Sequence, residues 1–354
     1  MRPYDVDFFD RDWSFVHHTA VDSVEYSEDY LSPETNKLTI LHSPLVALNQ
    51  YVLIRRNSEE YFGIVTAVTE SKENLLRISY KPFLSLFDEK IMYDTDDQGV
   101  GTLESALAGI IITNWISNSD TAQNIPGLTV TTSSSTSGWG FNLKSDKENM
   151  HHCAVNFLKT FVIRSLSKYG VRIKVTPDPQ ARTITLDIGK VSNGTKYIEA
   201  DLPNIISKNV VIKQTDDKVN KLTVYNEEDY SQTRVYFLHP DGSYSQTNAD
   251  RITPVVHEIA QTAPERNGDT IKKSFAVMAD AEAADCFAVE YDNLIELETM
   301  NGDTLIRPDL IEIGQLVAVI SEGEVYFSML TGRQVEDTTL LIFGSIRLDL
   351  TKRI

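Results

Sequence analysis

From Val6 to about Glu89, short apolar runs alternate with turn residues. Lys37–Leu41, Tyr51–Arg55, Tyr61–Thr66 and Leu75–Tyr80 are parted by Ser43-Pro44, Asn57-Ser58 and Lys72-Glu73-Asn74. Such runs, rich in β-branched and aromatic residues, predict strands, and their spacing predicts a small barrel or sandwich. At Gly99-Val100-Gly101 the period changes. Leu103, Leu107, Ile110, Ile111 and Trp115 recur at helical spacing behind Thr102, a helix-capping residue, with Glu104 in the first turn. Thr129 to Gly140 reads as a loop or edge hairpin. A second helix is predicted from about Ser145 to Tyr169, with Val155, Leu158, Val162, Leu166 and Tyr169 on one stripe and Gly170 closing it. Strands Val171–Thr176 and Thr183–Ile188 follow, joined at Pro177-Asp178-Pro179. After Pro203 strands return at Val210–Gln214, Lys221–Asn226 and Thr233–Leu238, then the turn His239-Pro240-Asp241-Gly242 and a polar strand through Thr247. A third helix over Thr270–Ala284 precedes strands Phe287–Tyr291 and Leu294–Glu298 and a hairpin turn at Asn301-Gly302-Asp303.

One pattern is written twice. Gln50 to Leu76 reads QYVLIRRNSEEYFGIVTAVTESKENLL, and Gln315 to Leu341 reads QLVAVISEGEVYFSMLTGRQVEDTTLL. Aligned without a gap they share Gln50/Gln315, Val52/Val317, Glu59/Glu324, Tyr61/Tyr326, Phe62/Phe327, Thr66/Thr331, Leu75/Leu340 and Leu76/Leu341. Fixed-offset similarity marks a repeated structural unit, here a hairpin whose second strand opens on Tyr-Phe. Amphipathic patterning alone forces the apolar matches, as in any two hairpins of similar length; it does not force the Gln, Glu and Thr.

These patterns predict an α+β, mainly β fold with two related β-barrel domains and two α/β insert domains. Residues 1–98 are expected to form the first barrel and 99–202 an α+β insert. Residues 203–245 and 309–354 are expected to form a discontinuous second barrel, and 246–308 a small α/β insert. A chain of 354 residues exceeds what one hydrophobic core usually supports.

Charge narrows the function. With 51 acidic against 33 basic residues the net charge is −18, the wrong sign for a nucleic-acid reader. An acidic surface is compatible with DNA sliding past without sticking, and equally with solubility alone. The N-terminal MRPYDVDFFDRDW lacks the basic start and apolar segment of a secretory signal, so cytoplasmic assembly is expected. The longest apolar stretch, Leu107–Ile112, is far too short to span a membrane, and no membrane insertion is predicted.

Candidate chemistry is sparse. His17-His18 and His151-His152-Cys153 are the clustered soft ligands, but adjacent residues on a helix point about 100° apart and cannot share one ion. Cys153 and Cys286 form no metal or redox motif and read as structural thiols. Gly99-x-Gly101 lacks the third glycine of a dinucleotide fingerprint and reads as a helix cap. Asp94-Thr95-Asp96-Asp97 lacks the later calcium-loop residues and reads as a solvated acidic turn. There is no Gly-x-Ser-x-Gly elbow and no P-loop, and nothing selects a carboxylate pair for glycoside hydrolysis. No catalytic, cofactor-binding or metal residue is assigned, and no cofactor.

Ile311-Glu312-Ile313-Gly314-Gln315, Tyr326-Phe327-Ser328-Met329-Leu330-Thr331-Gly332 and Phe343-Gly344-Ser345-Ile346-Arg347-Leu348-Asp349-Leu350-Thr351-Lys352 resemble the end of the tail hub proteins of siphophages infecting Gram-positive bacteria. Tyr61-Phe62-Gly63-Ile64-Val65 with Lys81-Pro82-Phe83-Leu84-Ser85-Leu86-Phe87-Asp88 resembles their first domain, and Tyr236-Phe237-Leu238-His239-Pro240-Asp241-Gly242 their middle region. The resemblance covers nearly the whole chain through diffuse structural motifs, and extends to the central baseplate hubs of contractile tails. It implies a non-enzymatic virion protein of the tail tip, assembled in the host cytoplasm as a homotrimeric ring with two related barrels per chain. Implied partners are the sixfold distal tail protein, the tape measure protein and receptor-binding or tip proteins, with phage DNA passing through unbound. Larger family members continue into a peptidoglycan hydrolase; this sequence stops at Ile354, and no such module is expected. The alternatives are a cell-wall hydrolase using an unrecognised carboxylate pair and the hub of a tailocin-like device.

Overall fold

The structure, a computed structural model, describes residues 3–28, 35–56, 59–70, 74–141, 143, 152–191, 194–211, 219–239, 244–249, 251, 253, 255–267, 270–287 and 294–344. The expected turns at Asn57-Ser58 and Pro240-Asp241-Gly242, the start of the expected second helix at Ser145–His151, most of the expected strand Phe287–Tyr291 and the closing Ser345–Lys352 lie outside the described residues.

Strands β1 (Tyr4–Phe9), β2 (Phe15–Val21), β3 (Tyr26–Ser27), β4 (Asn36–Leu41), β5 (Tyr51–Arg56), β6 (Glu59–Glu70) and β7 (Leu75–Pro82) open the chain. All but β3 form one six-stranded sheet in the order β2-β1-β5-β6-β7-β4. Alternation sends Val6, Phe8, Val52, Ile54, Tyr61, Val65, Ile78 and Tyr80 to one buried face. The other face is apolar too: Tyr51, Leu53, Phe62 and Ile64 pack into a second, larger core.

That larger core belongs mostly to the segment that follows. It holds β8 (Lys90–Asp94), α1 (Leu103–Ile111), β9 (Leu128–Thr132), β10 (His152–Asn156), α2 (Ile163–Tyr169), β11 (Val171–Asp178) and β12 (Thr183–Lys190). Thr102 caps α1, its hydroxyl accepting from the Ser105 N–H at 3.2 Å. Gly170 closes α2 in the left-handed region at φ 65°. Two expectations change here. His152–Asn156 is a strand, not the start of the second helix, because Cys153 pairs with Tyr93 in an antiparallel ladder and buries while His152 and Ala154 stay exposed. Val155 falls on the helical stripe by coincidence of spacing. Thr129–Thr132 is neither loop nor hairpin but part of β9, which pairs parallel with β12 at the edge of a three-stranded sheet.

The remaining strands are β13 (Lys196–Glu199), β14 (Ile205–Val211), β15 (Lys221–Asn226), β16 (Thr233–Leu238), β17 (Tyr244–Ser245), β18 (His257–Thr262), β19 (Glu265–Asn267) and β20 (Thr270–Lys273). Helix α3 (Phe275–Cys286) then precedes β21 (Leu294–Met300), β22 (Leu316–Ser321), β23 (Glu324–Val335) and β24 (Thr338–Phe343). A seven-stranded sheet has the order β13-β22-β23-β24-β21-β14, with β3 added beside β23. Strands β15 and β16, expected in the second barrel, lie in a separate sheet with β17 and β18. Their apolar face, Leu222, Val224, Tyr236 and Leu238, packs under Phe275, Ala279 and Ala283 of α3, so it needs no second partner. Conversely β21, expected in the small insert, is a full member of the seven-stranded sheet, its Ile295 and Leu297 buried there. The third helix starts at Phe275 because Thr270–Lys273 pairs with β19 and Ser274 turns the chain.

The repeat is structural. In β5–β6 the partners run from Tyr51↔Ile64 and Leu53↔Phe62 to Arg56↔Glu59. In β22–β23 they run from Leu316↔Met329 and Ala318↔Phe327 to Ser321↔Glu324, the same register at the same offset. Both second strands then bulge at one place, between Val65 and Ala67 and between Leu330 and Gly332. Beyond the bulge the ungapped alignment fails. Tyr80 pairs with Val65 but Phe343 with Leu330, so the second turn is two residues shorter and Leu75-Leu76 is not the counterpart of Leu340-Leu341. A slip of two residues keeps every side chain on its face, which is why the turn could shorten. The unit continues into a fourth strand: Asn36↔Tyr80 to Leu41↔Leu75 matches Ile295↔Phe343 to Met300↔Thr338. Thus β4–β7 and β21–β24 are one four-strand antiparallel unit used twice, its first strand lying beside its last.

Candidate functional site at the junction of the repeats

The two copies differ in what covers them. In the first, Phe62 stacks on Trp13 with ring centroids 5.7 Å apart and on Phe83 at 5.2 Å, sealing the sheet under the helical layer. Tyr61, on the opposite face, packs against Tyr26 and Tyr80, and its hydroxyl accepts from Asn36 Nδ2 at 2.9 Å. In the second copy Tyr326 is half-buried and Phe327 is 61% exposed.

Between the copies lies a cavity of about 360 Å³, lined by residues of the first sheet, β11 and the second sheet. Its walls set ion pairs among apolar side chains such as Phe62, Phe83 and Ile313. Arg172, on β11, is buried and reaches Asp187 at 3.2 Å and Glu312 at 3.3 Å; Lys174, two residues along the same face, reaches Glu312 at 3.0 Å. Arg333 of β23 reaches Glu28 at 3.3 Å and donates to the Ile311 carbonyl at 3.2 Å. The Glu28 N–H in turn donates to the Arg333 carbonyl at 2.8 Å, continuing the ladder that β3 makes with β23. Arg56 pairs with Glu59 at 3.1 Å and lies over the Tyr4 ring at 3.9 Å.

Two carboxyls at this junction are tuned in opposite directions. Burial pushes Glu28 above the usual carboxylate range; Arg333 opposes the shift and the nearby Glu59 adds to it. Burial also works against ionised Glu312, but the bond from Lys174 and the charges of Lys174 and Arg172 together hold its carboxyl below the usual range. Such an arrangement joins modules by paired, partly desolvated charges, where loss of one partner costs more than the pair contributes.

The residues singled out in the sequence lie elsewhere and apart. His17 and His18 are neighbours on β2 and so face opposite ways: His17 stacks on Phe8, while His18 Nδ1 is 2.8 Å from Asp7. His151 lies outside the described residues, His152 is 4.0 Å from Asp94, and Cys153 is buried. Cys286, half-buried, has its thiol pushed up to about 11 by burial and by Glu258 and Glu282. Among the described residues no group of three or more His, Cys, Asp or Glu could hold a metal ion. Gly99 and Gly101 both take positive φ, 73° and 67°, ahead of α1. The acidic turn Asp94–Asp97 is not merely solvated: Asp96 pairs with Lys272 at 2.7 Å and Lys273 donates to the Gln98 carbonyl, fixing the β19–β20 hairpin. No motif could have announced Arg172 or Glu312, because their partners come from segments far apart in the chain.

The fold is shared with a tail protein from Neisseria meningitidis MC58, at a TM-score of 0.52 and 13% identity over 97% of this chain and 96% of that one. Also similar over their length are the 43 kDa tail protein of prophage MuSo2 from Shewanella oneidensis (TM-score 0.48, 11% identity, 96% and 97% covered) and a prophage tail protein of Listeria monocytogenes (0.47, 11%, 97% and 95%). No protein-family model and no curated protein matches the chain. At 13% identity the likeness to the Neisseria protein shows the fold alone and carries no residue roles. No helix among the described residues is long and apolar enough to cross a membrane.

Proposed function

We propose that the chain is a structural protein of a phage tail, acting as the hub at the tail tip or baseplate. The observation that carries this reading is the four-strand antiparallel unit repeated with one register and one bulge position. Two such units per chain, each forming part of a barrel, give a homotrimer six near-equivalent positions. A threefold ring built this way matches the sixfold distal tail protein above it. The segments between the two units brace the ring or close its channel, and the net charge of −18 lets DNA slide by repulsion. Tape measure and receptor-binding proteins complete the assembly. The shared fold with a tail protein supports the tail context. The mechanism is interface geometry with no bond chemistry.

Light scattering of the purified chain, alone and with its distal tail ring, tests the reading. A trimer, formed alone or on the ring, is expected; a strict monomer under both conditions overturns it.

A further inference from the structure

The two units differ at one sheet edge. After its bulge β6 runs on past the start of β5, so residues 67–70 pair with β7 on one side and with no described strand on the other. Thr69 and Glu70 are exposed there. In the second unit the same stretch of β23, residues 332–335, is occupied. Against it lies β3, with Tyr26 opposite Val335, Ser27 opposite Gln334 and the Glu28 N–H donating to the Arg333 carbonyl at 2.8 Å.

The strand that fills this edge comes from the other unit, and its place there also has a twin. β3 touches the outer edge of β4 through the bridge Glu25↔Lys37. Lys37 pairs with Ser79 and Glu296 with Ile342, which occupy the same place in the two units, so Lys37 and Glu296 are counterparts. Glu296 pairs with Asn209 of β14. Asn209, Val210 and Val211 therefore stand to the second unit as Glu25, Tyr26 and Ser27 stand to the first. Tyr26 and Ser27 are buried in their contact, whereas β14 is the outer strand of its sheet and Val211 is 43% exposed.

Each chain thus makes this contact once and carries both its halves over: a donor strand on the second unit and an acceptor edge on the first. We propose that the end of β14 in one copy pairs antiparallel with residues 67–70 of β6 in the next copy, Val210 opposite Glu70 and Val211 opposite Thr69. This rests on the hub reading above and names the contact that closes its ring. The occupant is argued from the chain itself, because the junction inside one copy is already the same contact between the same two faces. A contact between unlike faces, repeated from copy to copy, closes a ring. Backbone hydrogen bonds drive such strand addition, and it covers an edge that would otherwise invite uncontrolled pairing.

The test uses the full chain in a Cys286→Ser background, Cys153 being buried. Thr69 and Val211 would meet as Gln334 and Ser27 do, next to the Glu28–Arg333 hydrogen bond and so in a non-hydrogen-bonded pair. Cα atoms of such a pair lie about 4.5 Å apart, within disulfide reach. Under mild oxidation, Thr69→Cys with Val211→Cys in one chain is expected to give covalent trimers, alone or on the distal tail ring. A mixture of the two single variants is expected to give covalent dimers. Thr69→Cys with Ser207→Cys, four residues or about 13 Å out of register, should cross-link at least about tenfold less. In the unaltered chain, amide exchange at Val68, the counterpart of Arg333, should slow at least about tenfold from monomer to trimer, which reads the pairing without any substitution. Trimers whose Val68 amide exchanges as in the monomer, or folded variants that trimerise without cross-linking, overturn the pairing and leave the hub reading standing. A disulfide within one chain, or dimers from Thr69→Cys alone, shows a different contact and overturns it too. A strict monomer, alone and with the ring, overturns the hub reading and the pairing with it.

Discussion

Gln50 and Gln315 show what a repeated polar residue is for. Each is buried and clamps the loop before its hairpin by accepting from an N–H three residues back. Gln50 also donates to the Leu45 carbonyl at 3.1 Å and to Asp10 at 3.0 Å, so one side chain satisfies several groups that folding removes from water. Cutting it back to Ala leaves those groups unpaired at a cost of about 1–3 kcal/mol. Gln50→Ala is therefore expected to lower the thermal midpoint and to speed amide exchange at Ala47, with Gln315→Ala doing the same at Glu312. Unchanged exchange at these amides would show the clamp to be ornamental. The sequence displayed the two glutamines because patterning could not account for them; it did not display their job, which depends on a left-handed residue beside each.

Within the repeated element, the shared Thr66 and Thr331 mark the bulge in both copies, yet their surroundings differ. Thr331 is buried, and its hydroxyl lies 3.2 Å from the Ile342 carbonyl and 2.9 Å from that of Gly344. Thr66 is exposed. Thr331→Val keeps the shape and removes the donor, so a loss of about 1–2 kcal/mol is expected, whereas Thr66→Val should stay within about 0.5 kcal/mol of neutral. Denaturant titration of the two variants side by side checks this; equal effects would mean that the bulge, and not the hydroxyl bond, sets the cost. The hairpin register was legible as aligned identities. The shortened turn after the bulge was not, since a two-residue deletion leaves alternation intact and Leu75-Leu76 falls opposite Leu340-Leu341 by coincidence.

At the scale of the whole molecule, apolar cores run across the module boundaries, with Met329 of the second sheet in the larger core and Val335 in that of the first sheet, and ion pairs reinforce the same boundaries. Arg172 links Asp187 of its own sheet to Glu312 of the second repeat, and Arg333 links the second sheet to Glu28 beside β3. Lys168 pairs with Asp285 and Lys272 with Asp96, fixing the α3 unit to the segment before it. Arg172→Met removes the cation shared by Asp187 and Glu312; Glu312 keeps Lys174 and Asp187 keeps the Ser133 hydroxyl, so a loss of about 1–3 kcal/mol is expected. Calorimetry is expected to resolve the variant's unfolding into separate transitions where the unaltered chain unfolds more cooperatively. A single transition shifted by less than about 0.5 kcal/mol, the range of an ordinary surface change, would exclude Arg172 as one of the ties.

Local order was determined by the sequence alone: the strand runs around each Tyr-Phe, the cap at Thr102, the stop at Gly170 and the fact of a repeat all rest on residue chemistry within a few positions. Tertiary structure decided which strands share a sheet. An apolar face is satisfied by any apolar cover, so alternation in β15 and β16 could not say whether they belong with β22 or under α3. The same holds for His152–Asn156, where a ladder to β8 overruled a helical stripe. It holds most of all for Arg172 and Glu312, whose meeting is set by packing between segments that the chain itself keeps far apart.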